Sequence, residues 1–291
     1  MDEILVVAEK PSVARDIARV LGASARGEGC LTGGGYVVTW AIGHLVALRE
    51  PEELDERYKR WRAEDLPILP ERMQLKVLPR TRAQFAVVKK LMNSREIRSI
   101  ICATDSGREG ELIFRYIYEM AGCQKPVVRL WISSMTDEAI RAGFAALRPG
   151  SRYDALYRSA RCRSEADWLV GMNASRAFTL RYGALLSVGR VQTPTLAMLV
   201  SRRLEIDRFV PQPYWTVQAD FGDYQGVWYD PSREDGKRIP SEAAARAIAD
   251  KVRGKPARVT GVKAEEKREL APQLYDLTTL QREASGQLGF S

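Results

Sequence analysis

The sequence predicts an α/β fold built on a mainly parallel sheet, followed by a helical segment and then a β-rich segment. Across residues 1–150, short apolar runs of strand length alternate with amphipathic runs of helix length, an order typical of a sheet with helices on both faces. Residues 151–206 have a helical pattern, and strand-like alternation begins after residue 213. We find no internal repeat and no low-complexity tract.

The elements of the first half follow from their residue types. The predicted strands are 3–8, 36–42, 74–78, 98–103 and 127–132, and the predicted helices are 12–21, 82–93, 108–121 and 136–147. Gly33, Gly34 and Gly35 indicate a hairpin turn, since no glycine-rich nucleotide motif can be written there. Thr136 precedes two acidic residues and is typical of a helix start. The Pro- and Arg-rich stretch 49–73 indicates an insertion.

The second half predicts helices first and strands later. We expect helices over 151–206, with a break near Tyr182 and Gly183, and over 241–253. Strands are expected at 214–221, 226–229 and 257–264, and a further helix should begin near Asp276. Thr193 can cap a helix whose first residue is Pro194. That helix would bury an apolar stripe formed by Leu196, Leu199, Val200 and Leu204. These elements predict four parts: 1–150, 151–211, 212–276 and 277–291.

Composition favours a soluble protein with a polyanionic partner. Hydrophobic residues make up 45% of the chain, charged residues 28%, and the formal net charge is +8. Residues 151–210 hold ten arginines, five acidic residues and no lysine, and guanidinium groups bind phosphates in a bidentate manner. No membrane span or secretory signal is recognisable. The four cysteines lack metal-binding spacing, which favours thiols in a reducing cytoplasm.

The stretch from Cys102 to Glu111 is the most informative in the chain. It runs from an apolar strand through an acidic, glycine-containing turn into a helix. Asp105 therefore lies at the carboxyl end of a strand and Glu109 in the first helical turn, where an open α/β sheet binds its ligands. Glu111 is two residues past Glu109 and should point elsewhere on the helix.

A second acidic residue belongs with this turn. The first strand ends directly in Glu9, followed by Lys10. If the two strands are parallel neighbours, Glu9, Asp105 and Glu109 converge beside Lys10 and Arg108, and three oxygen ligands suit Mg²⁺. The alternative is an ordinary salt-bridged cluster at a sheet edge.

Three further motifs carry charged or polar residues. Ser187-Val188-Gly189-Arg190-Val191-Gln192-Thr193-Pro194-Thr195-Leu196 places Gly189 and Arg190 just ahead of a helix N-terminus, a natural phosphate site, although a capped amphipathic helix explains it equally on physics alone. Arg163 and Asp167 are four residues apart, which also suits an intrahelical ion pair. His44, the single histidine, follows a strand and could be purely structural.

These motifs resemble a known family. Glu9-Lys10 after a first strand, with a later Asp-x-x-Arg-Glu-Gly-Glu, resembles the TOPRIM domain of type IA topoisomerases, primases and related nucleases, which has a Rossmann-like parallel sheet. The chain departs from many members, which carry Asp-x-Asp, because Gly107 stands at the second position. The Asp-x-Gly form resembles bacterial topoisomerase III, and it leaves a metal with one carboxylate fewer.

The Gly-Arg-Val-Gln-Thr-Pro-Thr-Leu sequence is similar to a motif of type IA topoisomerases, and the resemblance covers the whole chain. It implies a TOPRIM domain, an Arg-rich domain IV, first strands of a domain II arch and the opening of domain III. It implies Mg²⁺ at Glu9, Asp105 and Glu109, and catalytic roles for Glu9, Lys10 and Arg108. The DNA-binding residues it implies are His44, Arg163, Asp167, Ser187, Gly189, Arg190 and Gln192.

The resemblance implies Mg²⁺-dependent, ATP-independent breakage, passage and rejoining of single-stranded DNA by a monomer in the bacterial cytoplasm, acting on negatively supercoiled DNA. The family nucleophile is a tyrosine in a Tyr-Pro-Arg-Thr-like sequence, and none of the eleven tyrosines here precedes Pro-Arg. We therefore expect an amino-terminal part of such an enzyme, which binds DNA and metal without cleaving. The alternatives are a TOPRIM nuclease or primase, or a noncatalytic DNA-binding module.

Overall fold

The computed structural model describes residues 3–290, which separate into a unit ending at Arg208 and a second unit beginning at Phe209. The strands are β1 (Glu3–Ala8), β2 (Ala25–Gly27), β3 (Cys30–Gly33), β4 (Tyr36–Trp40), β5 (Val46–Leu48), β6 (Leu75–Val77), β7 (Ile97–Ala103), β8 (Val127–Arg129), β9 (Arg148–Pro149), β10 (Gln218–Asp220) and β11 (Gln225–Val227). The helices are α1 (Pro11–Leu21), α2 (Pro51–Leu54), α3 (Arg82–Asn93), α4 (Arg108–Ala121), α5 (Asp137–Ala145), α6 (Asp154–Tyr182), α7 (Gln192–Asp207), α8 (Glu242–Val252) and α9 (Leu277–Leu288).

The first unit is built on a seven-stranded sheet in the order β2-β3-β4-β1-β7-β8-β9. The four central strands β4, β1, β7 and β8 are parallel, and antiparallel strands extend both edges. The predicted α/β class with a mainly parallel sheet is therefore confirmed. At the turn from β3 to β4, Gly34 and Gly35 have φ angles of 61° and 80°, which explains why glycines form this hairpin.

Helices cover both faces of the sheet. One core layer joins Phe85, Val88 and Met92 of α3 to α4 and to Ala160 of α6. The other layer lies under α1 and α5 and includes Ile17. The chain order changes direction at β1, whose neighbours are β4 on one side and β7 on the other. In open α/β sheets ligands bind at such a switch point, outside the carboxyl ends of the strands.

Side chains of α6 form hydrogen bonds with the backbone of the 49–73 segment. The Trp168 indole donates a hydrogen bond to the Arg49 carbonyl at 2.9 Å. The Asn173 amide donates to the Ile68 carbonyl and accepts from the Ile68 N–H, as a neighbouring strand would. The Arg176 guanidinium donates to the carbonyl of Tyr58 at 2.7 Å. The predicted insertion is thus an ordered segment that packs against α6.

The second unit differs from the sequence prediction in one strand. β10 lies within the predicted strand 214–221, β11 overlaps the predicted strand 226–229, and the two pair in an antiparallel manner; α8 matches the predicted helix 241–253 to within one residue at each end. The predicted strand 257–264 is wrong, because those residues have no regular structure and no described strand pairs with them.

The helical segment also differs from the prediction in detail. Helix α7 begins at Gln192, one residue before the predicted cap, and Thr193 accepts a hydrogen bond from the Gly189 N–H instead. The prediction of a buried stripe is wrong: Leu196 and Leu199 are 61% and 65% exposed, and Val200 and Leu204 are also exposed. No element of the described chain packs closely against this face. Among residues 3–290, no helix combines the length and apolar character needed to cross a bilayer.

Candidate active site

The loops after β1 and β7 meet at the carboxyl edge of the sheet. These strands are parallel neighbours, with Ala8 opposite Ala103, so Glu9 and Asp105 emerge side by side. The Asp105 N–H donates a hydrogen bond to Glu9 Oε2 at 3.1 Å. Lys10 Nζ lies 3.1 Å from Asp105 Oδ2 and 3.9 Å from Glu9 Oε1. The structure thus brings together Glu9, Lys10 and Asp105, three of the five residues that were predicted to converge.

The environment raises the pKa of both Glu9 and Lys10. Glu9 is only 8% exposed, and burial is the main cause of its raised pKa, with the nearby Asp105 charge acting in the same direction. The pKa of Lys10 is raised because its ammonium donates a hydrogen bond to the Asp105 carboxylate and is attracted by its charge. Both shifts favour the protonated forms of these two side chains.

Glu109 occupies the first turn of α4 but faces a different partner. Its Oε1 lies 2.6 Å from His44 Nε2, in the loop after β4. Among residues 3–290, no three Asp, Glu, His or Cys side chains are gathered in an arrangement that holds a metal ion. The predicted metal ligands therefore share one pocket without surrounding one point, because Glu109 is engaged by His44 and Asp105 by Lys10. Glu9 and Asp105 nevertheless present adjacent carboxylate oxygens, the donor type that Mg²⁺ takes.

A buried ion pair supports the Asp105 loop from behind. Arg129 and Glu111 are each 1% exposed, and Arg129 Nε lies 3.1 Å from Glu111 Oε2. The Arg129 guanidinium also donates hydrogen bonds to the carbonyls of Cys102, Thr104, Asp105 and Leu130. Glu111 thus points away from the pocket, as predicted. Sequence reasoning missed Arg129; its signal was a single cation within the apolar run 127–130.

Two small residues fix the same loop. A Cβ added at Gly110 would overlap the carbonyl oxygen of Asp105 and lie 2.9 Å from its nitrogen, so the helix can approach the loop this closely only with glycine. Ser106 Oγ donates to the Ile132 carbonyl at 2.8 Å and accepts from the Ile132 N–H at 3.0 Å. The carboxylate of Asp105 is therefore held on a rigid turn.

Helix α6 supplies the other wall of the pocket. Asp167 Oδ1 accepts a hydrogen bond from Arg190 Nη1 at 2.8 Å, and Asp167 Oδ2 lies 3.9 Å from Arg163 Nε. A cavity of about 420 Å³ separates this wall from the sheet edge. Residues lining it include Glu9, His44, Asp105, Arg108, Glu109, Arg163, Ser164 and Asp167. Asp167 therefore contacts both arginines, and it holds Arg190 more closely than Arg163.

The remaining predicted DNA-binding residues lie beside this cavity. Ser187, Gly189 and Gln192 do not line it. They belong to the 183–191 segment and the start of α7, where a Cβ at Gly189 would touch the Gln192 side chain. Val188 anchors the segment to α6 through hydrogen bonds of its N–H and carbonyl with Ser175 Oγ.

The fold and this pocket are those of a Toprim domain followed by a DNA topoisomerase domain. The Toprim domain family matches residues 4–135, and the DNA topoisomerase family matches residues 151–291. The chain is homologous to type IA DNA topoisomerases. It is similar to bacterial DNA topoisomerase 3, with 48% identity over all 291 residues to the protein of Shouchella clausii and 47% to that of Bacillus subtilis.

The chain spans 40% of the length of these curated relatives. The solved structure of full-length topoisomerase I from Thermotoga maritima shares the fold, with a TM-score of 0.63 at 24% identity, over 99% of this chain and 44% of that one. Toprim domains of type IA topoisomerases bind metal, and their family members bind single-stranded DNA.

Proposed function

We propose that this chain forms the metal- and DNA-binding part of a Mg²⁺-dependent, ATP-independent topoisomerase that breaks, passes and rejoins single strands of DNA. The whole protein would act as a monomer on negatively supercoiled DNA in the bacterial cytoplasm. The observation that carries the proposal is the single cavity that joins the acidic sheet edge to Arg163 and Asp167 of α6. That cavity offers a place for one DNA phosphate between a cation-bearing helix and a proton-accepting carboxyl.

Each side chain at the pocket would have a distinct task. Lys10 stays protonated beside Asp105 and would neutralise charge on the scissile phosphate, with Arg108 as a second cation. Glu9, whose pKa is raised by burial, would hold or release the proton that is transferred when the strand is broken and rejoined. Bound Mg²⁺, held by Glu9 and Asp105 with Glu109 nearby, would supply charge neutralisation at phosphate oxygens. Arg163 and Arg190 would grip the strand, each placed by Asp167.

The first test concerns the metal. With Gly107 in place of a carboxylate, we expect one Mg²⁺ site of weak affinity, and Asp105→Asn should abolish measurable binding because it removes one of the two adjacent carboxylates. Isothermal titration of the 291-residue chain measures both. Glu138→Gln, an exposed substitution on α5, is the matched control and should leave binding unchanged. Two tight sites, or parental binding by Asp105→Asn, would contradict the assignment.

A second test concerns the arginines held by Asp167. Arg163→Ala and Arg190→Ala should each weaken binding of a single-stranded oligonucleotide, and each should lower the log–log salt slope by about 0.7 because one phosphate contact is lost. Fluorescence anisotropy at several salt concentrations measures this. Arg152→Ala, an exposed arginine away from the cavity, is the control. Equal behaviour of all three variants would show a diffuse basic surface instead of a specific contact.

The alternative enzymes make different products. Incubating the chain with Mg²⁺ and end-labelled single strands should give binding without cleavage and without a covalent adduct under denaturing conditions, because no tyrosine here has the family's Pro-Arg context. Strand cleavage would favour a Toprim nuclease, and nucleotide incorporation would favour a primase. A covalent adduct on this chain would show that the nucleophile lies within it.

A further inference from the structure

A row of cations outside the pocket has no role in the function proposed above. It consists of Arg80, Arg82, Lys89, Lys90, Arg95 and Arg98, which we call the α3 basic surface. All six side chains are exposed, and Glu96 is the single acidic residue in the stretch 79–98. Helix α3 itself contains three cations and no acidic residue. The result is a strongly positive strip on one side of the sheet.

The strip runs from the catalytic edge of the sheet to the opposite edge. Near the start of α3, Gln84 Nε2 donates a hydrogen bond to the carbonyl of Trp40, the last residue of β4. At its end, Asn93 Nδ2 donates to the carbonyl of Ala121, the last residue of α4. A helix of 12 residues is about 18 Å long, and Arg82 and Lys89, seven residues apart, lie on the same side.

The cations of this surface are free of carboxylate partners. Within the part of the chain that the structure describes, none of the six lies within 4.0 Å of an acidic oxygen. The arginine-rich segment behaves differently. There Arg161, Arg163, Arg176, Arg190, Arg202 and Arg203 are all paired with acidic residues. The α3 basic surface therefore carries positive charge that no acidic side chain of the described residues pairs with directly.

The chemistry of the surface favours the backbone of a duplex. Proteins that hold single strands without sequence preference combine cations with aromatic side chains on which bases stack. Phe85 is the single aromatic residue between Leu78 and Ser99, and it is 7% exposed, packed in the core with Val88 and Met92. The surface can thus contact phosphates but cannot stack bases. The buried face of α3 packs in the core, which fixes the positions from which the cations extend.

We propose that the α3 basic surface binds the phosphate backbone of duplex DNA, at a place separate from the metal-bearing pocket. The contact is sequence-independent, because it uses charge alone, and its affinity falls steeply with salt. The duplex extends away from the carboxyl edge of the sheet along α3. The inference concerns this surface alone and does not depend on metal or on the reaction at Glu9.

The test compares two charge reversals of equal size on the 291-residue chain. Lys89→Glu with Lys90→Glu changes the proposed surface, and Arg15→Glu with Arg26→Glu changes exposed cations on α1 and β2. Helix α1 packs on the opposite face of the sheet from α3. Binding of a 20-base-pair duplex and of an oligo-dT of equal length is measured by fluorescence anisotropy across a salt series without Mg²⁺, after circular dichroism confirms folding.

We expect the α3 double variant to lose at least about fivefold in duplex affinity at low salt, with a log–log salt slope lower by about 1 per lysine. The milder Lys89→Gln/Lys90→Gln variant should lose less, and the Arg15/Arg26 control should remain close to the parent. The proposal is overturned if the parent does not bind duplex, if both charge reversals weaken it equally, or if oligo-dT binding falls by the same factor. Failure of the Arg163 and Arg190 test would leave this result unaffected, so the two proposals can be told apart.

Discussion

An Arg129→Met variant is expected to lose about 3–5 kcal/mol of the free energy of unfolding of the first unit, because it removes the fully buried one of the two arginines paired with Glu111 and leaves Arg115 as the remaining partner of that carboxylate. Four backbone carbonyls around Asp105 lose their donor in the same variant. Urea unfolding followed by circular dichroism measures the loss. Mg²⁺ binding should also weaken, since the Asp105 loop is no longer held from behind.

A double variant distinguishes the effect of the buried charge from the effect of lost side-chain packing. Arg129→Met combined with Glu111→Gln should be less destabilised than the sum of the two single variants, because the buried carboxylate charge is removed together with the guanidinium that faces it, and Arg115 keeps its contact with Asp154. Arg19→Met, which breaks an exposed contact with Asp137, should leave the unfolding midpoint close to that of the parent. If Arg129→Met unfolds at the parental urea concentration, the buried pair does not support the loop.

The second large effect is expected at Gly110. Gly110→Ala places a methyl group on the Asp105 carbonyl, so either the helix or the loop must shift, at a cost of about 1–3 kcal/mol or more. Because the shift falls on Asp105 itself, the variant should lose Mg²⁺ binding even where it remains folded. Unfolding and isothermal titration on the same preparation separate the two effects.

Gly107 offers a matched control three residues away. A Cβ there meets no atom within 4 Å, and its φ of −174° is extended backbone open to any residue. Gly107→Ala should therefore keep parental stability and metal affinity, although both glycines belong to the same turn. A similar loss in both variants would point to loop flexibility, and would contradict the close approach of α4 to Asp105.

The sequence predicted the sheet well because its strands are apolar and end in polar residues. The bounds of β1 and of helices α3 and α4 agree with the prediction residue for residue. The positions of Glu9 and Asp105 followed from the rule that parallel strands present their carboxyl ends at one edge. These positions follow from the local hydrophobic pattern together with the assumption that the two strands are neighbours in the sheet.

Contacts between distant segments could not be predicted in this way. The Glu109–His44 contact joins positions 65 residues apart, and the Arg129–Glu111 pair depends on which side of a strand meets which turn of a helix. The error at α7 has a similar origin: an amphipathic pattern shows that a face can be buried but not whether a partner is present. Residues 257–264 alternate like a strand, yet no neighbouring strand pairs with them.

The hydrogen bonds that tie the 49–73 segment to α6 have a mechanical consequence. Trp168, Asn173 and Arg176 each contact a different part of the segment, so separating α6 from it would require hydrogen bonds at three separate places to break together. A movement that displaces this part of α6 would carry the 49–73 segment with it, so we expect the two to behave as one body within the first unit.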